Sequence, residues 1–323
     1  MVGHWSTAAG SLAVGRAAIS ADIDTLASIY GGYDLRRDAY TYAEFSMGLE
    51  NFCRFLEGFG VRATMFMVGA DFRQPQNVGA IRAVAAAGHE IANHTLTHAQ
   101  GFRLLSRQQQ EDEVAGMEQL CRQVTGQRPV GFRSPGWNAG DETADILVRR
   151  GYWYDSSVFP SLANPMLKLV HWWTTRGRDR LARSTLGPLR YAIARVRPYR
   201  TSRRSLVKSG SDGVLEFPVT VVPGVRFPFT ATFTLALGWS SFRASYAVLR
   251  AMSMPIQYQF HLSDFVDYSH PALADQVPRR AGAYVPQALR VGLERKLALF
   301  ARVVERIGAD YQFSTLRDWA VDA

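Results

Sequence analysis

The chain has 323 residues, of which 47% are hydrophobic and 20% are charged, and its formal net charge is +9. These values are typical of globular domains and exclude a disordered or fibrous protein. The sequence lacks the roughly 18 consecutive apolar residues of a membrane-spanning helix. A chain of this length can form one large α/β domain, and we expect a single domain over residues 1–323.

Cysteine content and the N-terminal sequence predict the cellular compartment. The two cysteines, Cys53 and Cys121, fall in predicted helices, which argues against a disulfide framework and favours a reducing compartment. Residues 1–15 lack the basic start and apolar run of a signal peptide. We therefore expect a cytoplasmic protein.

The first predicted strand, residues 17–23, leads into two aspartates, Asp22 and Asp24, that are separated by one residue. Alternation along a strand directs both carboxylates to the same side. One could bind a metal while the other stays free as a base. An isolated Asp-x-Asp pair is more often a turn or a helix cap.

A helix over 42–59, a strand over 61–68 and a helix over 78–87 follow. The next strand, 89–92, leads into His94 and His98, which face the same way if the segment makes a helical turn. Two such imidazoles favour a metal, and a catalytic metal site adds a carboxylate. A lone His-x-x-x-His pair is usually incidental. The occurrence of both pairs after successive predicted strands favours a metal site.

The remaining elements continue the alternation. Ser106 and Gln109 form a capping box that begins a helix ending at Gly126. The later elements are a strand at 129–133, a helix at 143–150, a strand at 152–158, a strand at 214–222, a helix at 242–252, a strand at 256–262, a helix over 289–307 and a strand at 311–313. This order predicts a parallel sheet, open or closed into a barrel. The polar residues singled out here lie at the carboxyl ends of these strands, where such barrels build active sites.

Five segments, in order, resemble the motifs of the polysaccharide deacetylase family, which has the NodB homology domain and is also called carbohydrate esterase family 4. They are Asp22-Ile23-Asp24-Thr25, residues 94–98, Gly131-Phe132-Arg133-Ser134-Pro135-Gly136-Trp137, Tyr154-Asp155-Ser156-Ser157 and Gln259-Phe260-His261. The resemblance implies an α/β fold, a distorted (β/α) barrel with seven strands. It also implies metal-dependent hydrolysis of a linear amide, removing the N-acetyl group from an amino sugar of a polysaccharide or lipid-linked glycan. The Asp-x-Asp form resembles a variant branch that includes bacterial enzymes acting on lipid-linked sugars.

The resemblance also implies roles for single residues. Asp24, His94 and His98 would hold a divalent metal, expected to be Zn²⁺, with Co²⁺, Ni²⁺ or Fe²⁺ as alternatives. Asp22 would be the general base and Arg133 the partner that keeps it ionised.

His261 would be the acid that protonates the leaving amine, with His270 as the weaker candidate. Asp155 or Asp264 would orient His261, and the sequence leaves this choice open. The family has an aromatic residue directly after the proline, whereas here Gly136 stands there and Trp137 follows. The backbone N–H that would stabilise an oxyanion is retained.

An insertion at about 161–212 interrupts the pattern. Its residues 161–210 contain twelve Lys or Arg and one acid, Asp179, so they carry +11 and the rest of the chain carries −2. Tryptophan, tyrosine and leucine are interleaved with these basic residues, as in segments that bind an anionic membrane surface. We expect peripheral attachment to the inner membrane face, with a polyanionic glycan, a nucleic acid or plain solvent exposure as alternatives. The sequence contains no nucleic-acid-binding motif, and we expect no such partner.

Two other functions remain open. A lipid-linked sugar deformylase or a cyclic-amide hydrolase would share the fold and the motifs. A barrel that binds carbohydrate or lipid without catalysis is the third alternative. The oligomeric state is not predicted.

Overall fold

The computed structural model describes residues 15–29, 43–162, 187–273 and 287–323. The strands in these ranges are β1 (Gly15–Ile23), β2 (Thr64–Met67), β3 (Glu90–Asn93), β4 (Gly131–Phe132), β5 (Tyr154–Asp155), β6 (Tyr199–Ser202), β7 (Ser205–Ser209), β8 (Leu215–Glu216), β9 (Val221–Val222), β10 (Phe227–Pro228), β11 (Ile256–His261) and β12 (Tyr311–Phe313). The α-helices are α1 (Leu26–Ile29), α2 (Ala43–Glu57), α3 (Gly69–Phe72), α4 (Pro75–Ala86), α5 (Arg107–Thr125), α6 (Asp141–Arg149), α7 (Ala231–Ala251), α8 (Leu293–Gly308) and α9 (Leu316–Val321). None of the helices in these ranges combines the length and apolarity needed to cross a bilayer.

Seven parallel strands form the centre of the fold, in the order β11-β1-β2-β3-β4-β5-β8. β12 pairs in parallel with the start of β1. The seven-stranded sheet curls and brings its two end strands, β11 and β8, close together. The backbone N–H of Gln257 in β11 donates to the hydroxyl of Thr220, just beyond β8, at 2.8 Å. The predicted α/β class is confirmed, with the sheet forming a curled half-barrel.

Helix packing follows the sequence pattern. In α2 the apolar residues at three- and four-residue steps, Phe45, Leu49, Phe52 and Leu56, are buried. α5 begins with the predicted Ser106–Gln109 capping box and ends at Gly126 in the left-handed conformation. The helix predicted at 242–252 is longer, because α7 begins at Ala231 and is broken at Gly238 (φ 80°, ψ 178°).

The described part of the basic insertion belongs to the sheet. Residues 163–186 of the insertion lie outside the described residues. β6 and β7 form a hairpin, and β6 pairs antiparallel with β8. Several arginines contact the protein: Arg190 pairs with Asp141 at 2.8 Å, Arg203 pairs with Asp145 at 2.6 Å, and Arg197 donates to the Met252 carbonyl at 2.9 Å. The charges of Arg190 and Arg203 are therefore paired with aspartates within the fold, whereas Arg197 bonds to a backbone carbonyl.

Candidate metal and catalytic site

Register between neighbouring strands brings the predicted site residues together. Asp22 in β1 is paired with His261 in β11, and Asn93 in β3 is paired with Phe132 in β4. Since Asp24, His94 and Arg133 come directly after these strands, their side chains meet at one edge of the sheet, although they are far apart in sequence.

Asp24, His94 and His98 form a possible metal site. Each offers a ligand atom, and these atoms all lie within 4.8 Å of one another. Nε2 of His98 is 3.6 Å from Oδ2 of Asp24, and the two imidazole centroids are 5.1 Å apart. The arrangement is the two-histidine, one-carboxylate donor set of many catalytic sites.

The segment between the two histidines is not the helical turn that the spacing suggested. Thr95 (φ 68°) and His98 (φ 56°) are in the left-handed region, so the chain turns back in a loop. Asn93 stabilises this loop, because its side-chain oxygen accepts the Thr95 N–H at 2.8 Å while its amide donates to the Val114 carbonyl at 2.9 Å. The histidines thus converge through a fixed loop.

Hydrogen bonds set the ring state of both histidines. Nδ1 of His94 lies 2.7 Å from the Arg133 carbonyl, and Nδ1 of His98 lies 3.1 Å from the Ser28 carbonyl. A carbonyl can only accept, so the Nδ1 of His94 carries the hydrogen and its Nε2 lone pair is free for a metal. At His98 the carbonyl contact favours the same tautomer, while the Gln100 amide nitrogen also lies 3.3 Å from Nδ1.

The charge states also fit a divalent cation. Burial lowers the pKa of His94, and burial together with His94 lowers the pKa of His98 to about 3, so both are neutral, as metal ligands must be. Burial raises the pKa of Asp24 to about 7, against the opposing effect of His261. A bound cation would supply the positive charge that this buried carboxylate needs.

Asp22 is held outside the donor set. Nη1 of Arg133 donates to its Oδ1 at 2.5 Å, and Nε2 of Gln259 donates to its Oδ2 at 2.7 Å. Burial alone would raise the pKa of Asp22, but Arg133, His94 and His261 together lower it. Asp22 is therefore an ionised carboxylate beside the possible metal site.

Arg133 is completely buried and bound on several sides. Its Nε donates to the Ser156 carbonyl at 3.0 Å and its Nη2 to the Ser156 hydroxyl at 2.8 Å. The guanidinium also lies 4.0 Å from the centre of the Phe66 ring. These contacts fix its orientation toward Asp22.

His261 lies across from Asp22, with its Nε2 3.9 Å from Oδ2 of that residue. Burial would lower its pKa, but Asp24, Asp22 and Asp264 raise it. Of the two predicted orienting aspartates, Asp264 is the neighbour, since its Oδ2 accepts the His261 backbone N–H at 2.9 Å.

Asp155 and His270 occupy other positions. Oδ1 of Asp155 accepts the Ser157 hydroxyl at 2.6 Å, and its carboxyl contacts Glu216 rather than the histidine. His270 is exposed, and its Nδ1 accepts the Ala272 N–H at 3.2 Å.

The turn after Arg133 contains two consecutive residues with positive φ. Gly136 (φ 58°, ψ 23°) adopts the left-handed region without strain because it has no Cβ, and Trp137 (φ 53°) follows it in the same region. Trp137 packs against Phe159, with ring centroids 4.7 Å apart and the ring planes inclined by 35°. Its own N–H donates to the Ser134 carbonyl at 3.0 Å, which leaves the Gly136 N–H as the candidate for an oxyanion.

Sequence reasoning missed several polar residues that support Asp22 and Arg133. Gln257, Gln259 and His261 are every second residue of β11 and so lie on one face of the strand. Ser20 and Asp22 share a face of β1 in the same way. The Ser20 hydroxyl lies 3.3 Å from Nη2 of Arg133. The sequence feature that could have identified them is a polar residue two or four positions before a catalytic residue in the same strand, since such residues share one face of the strand.

Comparisons with known proteins show similarity to deacetylases. Residues 38–154 match the family model described as polysaccharide deacetylase. The chain is 24% identical over 148 residues to the peptidoglycan deacetylase of Helicobacter pylori, covering 44% of this chain and 48% of that protein. It is 31% identical over 162 residues to a chitooligosaccharide deacetylase of Bradyrhizobium sp., covering 46% of this chain and 65% of that protein. The matches therefore span less than two thirds of these relatives.

Solved structures share the fold. Puue allantoinase superposes with a TM-score of 0.58 at 15% identity, covering 95% of this chain and 89% of that one. A protein from Pseudomonas aeruginosa PAO1 described as a polysaccharide deacetylase gives 0.58 at 16% identity, covering 95% and 90%. The match over residues 38–154 and the curated relatives show that the chain is similar to polysaccharide deacetylases, and its fold is a NodB-like (β/α) barrel.

Proposed function

We propose that the protein is a metal-dependent amide hydrolase that removes the N-acetyl group from an amino sugar of a polysaccharide or lipid-linked saccharide. The observation that carries the proposal is an ionised carboxylate, Asp22, next to a separate donor set of Asp24, His94 and His98. The curated relatives act on peptidoglycan and chitooligosaccharides according to their names, which supports an amino-sugar substrate.

Each residue has a task in this reaction. When bound to Asp24, His94 and His98, a divalent cation, expected to be Zn²⁺, would polarise the acyl carbonyl and acidify water. Asp22 accepts the proton of the attacking water, and Arg133 keeps Asp22 ionised and oriented.

The remaining groups act on the intermediate and the leaving group. The Gly136 N–H stabilises the negative oxygen. His261 then gives its proton to the amine nitrogen as the C–N bond breaks, releasing acetate and a free amino sugar. Asp264 holds the His261 backbone beside the site.

The test is product release by the metal-loaded protein. Chitooligosaccharides and N-acetylated peptidoglycan fragments are incubated with the Zn²⁺-, Co²⁺- or Ni²⁺-loaded protein, and acetate and formate are assayed. Asp22→Asn should lower kcat by about 10²- to 10⁴-fold without loss of metal, as expected for removal of a general base. Glu50→Gln is the matched control, because Glu50 forms an exposed pair with Arg54.

The outcomes separate the alternatives. Acetate release that depends on Asp22 supports the proposal. Formate release would instead identify the deformylase activity. A metal-loaded protein that releases neither acid, or an Asp22→Asn variant as active as the control, would overturn the proposal.

We further propose that the barrel mouth faces an anionic lipid surface, which would present a lipid-linked saccharide. Leu162, Ile193 and Val225 are 52%, 76% and 66% exposed. Arg226 holds their segments together, since its Nη1 donates to the Ala194 carbonyl at 2.7 Å, its Nη2 lies 3.5 Å from the Ile193 carbonyl, and its own carbonyl accepts the hydroxyl of Ser161 at 3.0 Å. The sequence 163–186, which follows Leu162 along the chain, has five Lys or Arg and one acid. Attachment at the inner membrane face belongs to the same proposal.

A further inference from the structure

Two buried carboxyl groups meet behind Arg133. Asp155 ends β5, Glu216 ends β8, and the two residues are register partners. Both are completely buried. Their side chains contact each other at hydrogen-bonding distance, although two ionised carboxylates can only accept hydrogen bonds and repel each other in a buried position.

The donors around the pair are too few for two ionised acids. The Ser157 hydroxyl and N–H donate to Oδ1 and Oδ2 of Asp155 at 2.6 and 3.2 Å. The Val158 N–H donates to Oε1 of Glu216 at 3.0 Å. Oε2 of Glu216 is buried and has no N–H or O–H donor among the described residues. A single proton on the pair would turn the repulsion into a hydrogen bond and supply the missing donor.

Burial and the proximity of the two carboxyl groups favour this proton. Arg133 faces the pair from the segment after β4, Tyr191 from the short helix Leu189–Ile193 and Tyr199 from β6. Burial raises the pKa of both tyrosines, so they stay neutral. Burial and the neighbouring Asp155 raise the pKa of Glu216 well above its ordinary range, against the effect of Arg133.

Residues 155–158, which bond to the Asp155–Glu216 pair, also bond to Arg133 and Ser134 at the start of the loop that carries Gly136. The Ser157 hydroxyl, which donates to Asp155, accepts the Ser134 N–H at 2.9 Å. Ser156 accepts two hydrogen bonds from Arg133. Hydrogen bonds through residues 155–158 therefore connect Glu216 to Arg133 and Ser134.

We propose that Asp155 and Glu216 share one proton and that Glu216 is a positioning residue, which fixes residues 155–158 and so aligns Arg133 and the loop that carries Gly136. The proposal rests on the proposed function for its effect on activity. Its structural part, the alignment of Ser134 and Val158, can be tested without any substrate.

The test compares Glu216→Gln with Glu216→Leu. Glutamine keeps an acceptor for Val158 and a permanent donor toward Asp155, so it should behave like wild type. Leucine removes both, so amide hydrogen exchange at Ser134 and Val158 should accelerate about tenfold, as expected for loss of one buried hydrogen bond. If the proposed function holds, kcat of the leucine variant should fall by roughly 100-fold with a smaller change in KM, because the loop is misaligned.

A second variant covers the case in which Glu216→Leu does not fold. Ser157→Ala removes the link between Asp155 and Ser134, and the same faster exchange at Ser134 is expected. Glu50→Gln is the surface control. A glutamine variant that exchanges as fast as the leucine variant would overturn the proposal, because an ionised Glu216 would then be required. Wild-type exchange in the leucine or alanine variant would overturn it as well. If the variants exchange faster but the wild-type protein releases no acetate, the proposed function is wrong and the structural role of Glu216 still holds.

Discussion

Arg133 carries the charge balance of the site. Its guanidinium is completely buried and lies 2.5 Å from an almost completely buried Asp22. Breaking such a pair by removing one partner leaves an uncompensated buried charge, whereas replacing both partners does not. The effects of substituting Asp22 and Arg133 on the free energy of unfolding are therefore expected to be strongly non-additive.

We predict that Arg133→Met lowers the free energy of unfolding by about 3–5 kcal/mol, the usual cost of stranding a buried charge. The double variant Asp22→Asn with Arg133→Met should recover a substantial part of this loss. Urea unfolding of the single and double variants at pH 7 measures the coupling. Additive losses in the double variant would show that the two side chains are not coupled.

His98 is predicted to be required for metal. Its Nε2 lone pair is directed toward Asp24, so His98→Ala should lose bound metal and the rise in melting temperature that added Zn²⁺ gives the wild type. The exposed His270 gives the control, His270→Ala. Metal content after dialysis and thermal unfolding with and without Zn²⁺ are the measurements. Equal metal content in both variants would rule out the proposed ligand set.

Elements of the fold position these side chains through close packing between strands. A Cβ at Gly131 in β4 would lie 1.9 Å from Cζ of Tyr154 in β5, whereas a Cβ at Gly79 in α4 would have no atom within 4 Å. The Tyr154 hydroxyl in turn donates to Glu90 in β3 at 2.7 Å. The spacing of β3, β4 and β5 thus depends on the absence of a side chain at residue 131.

Two glycine substitutions are therefore expected to change the free energy of unfolding in opposite directions. Gly131→Ala should destabilise the protein by about 1–3 kcal/mol because of the clash with Tyr154. Gly79→Ala, at an exposed helical position, should stabilise it by about 0.5–1 kcal/mol. Chemical denaturation of both variants tests this, and equal shifts would contradict the close approach of β4 and β5.

Lys296 connects α8 to the short 3₁₀ helices Leu262–Phe265 and Gln287–Leu289 and makes the stability of the fold depend on pH. Its Nζ donates to the carbonyls of Ser263, Val266 and Ala288 at 2.8, 2.7 and 2.9 Å. Burial lowers its pKa to about 8, against the opposing effect of Asp264, compared with roughly 10.4 in the unfolded chain. The folded state then releases this proton first, so the charged lysine destabilises the fold below pH 8 and the penalty is relieved as the pH rises toward 10.4.

From pH 8 to pH 10 the wild type should gain about 2 kcal/mol more unfolding free energy than Lys296→Met. Urea unfolding at pH 8, 9 and 10 gives the two profiles. Parallel profiles would show that Lys296 does not titrate in this window.

For the whole molecule, the proposed lipid-facing rim makes a prediction about association. Ile193→Ser combined with Val225→Ser should weaken binding to vesicles containing phosphatidylglycerol by at least roughly tenfold, because two exposed apolar side chains are lost. Val321→Ser is the control, since Val321 is 68% exposed on α9. Flotation with anionic and zwitterionic vesicles gives the measurement.

Changing the five basic residues of 163–186 to glutamine should weaken binding to the anionic vesicles alone, by about 1 kcal/mol for each cation near the headgroups. A deletion reaching beyond residue 198 is unsuitable, because it would remove β6 and β7 from the sheet. If all variants float like the wild type, the rim does not bind lipid.

Local patterns in the sequence were sufficient to predict the alternation of strands and helices, the capped helix α5 and the strand-end positions of Asp22, Asp24, His94, Arg133 and His261. These features depend on side-chain period and on capping residues within one turn or one strand, so they can be read from neighbouring positions.

Tertiary structure alone decided the rest. The left-handed loop from Thr95 to His98, the contact of Gln259 with Asp22 and the pairing of Asp155 with Glu216 depend on which strands become neighbours and in what register. The same holds for the hairpin of β6 and β7, since its arginines contact residues far away in the chain. Register between distant strands is set by packing of the whole sheet, and spacing along the chain does not encode it.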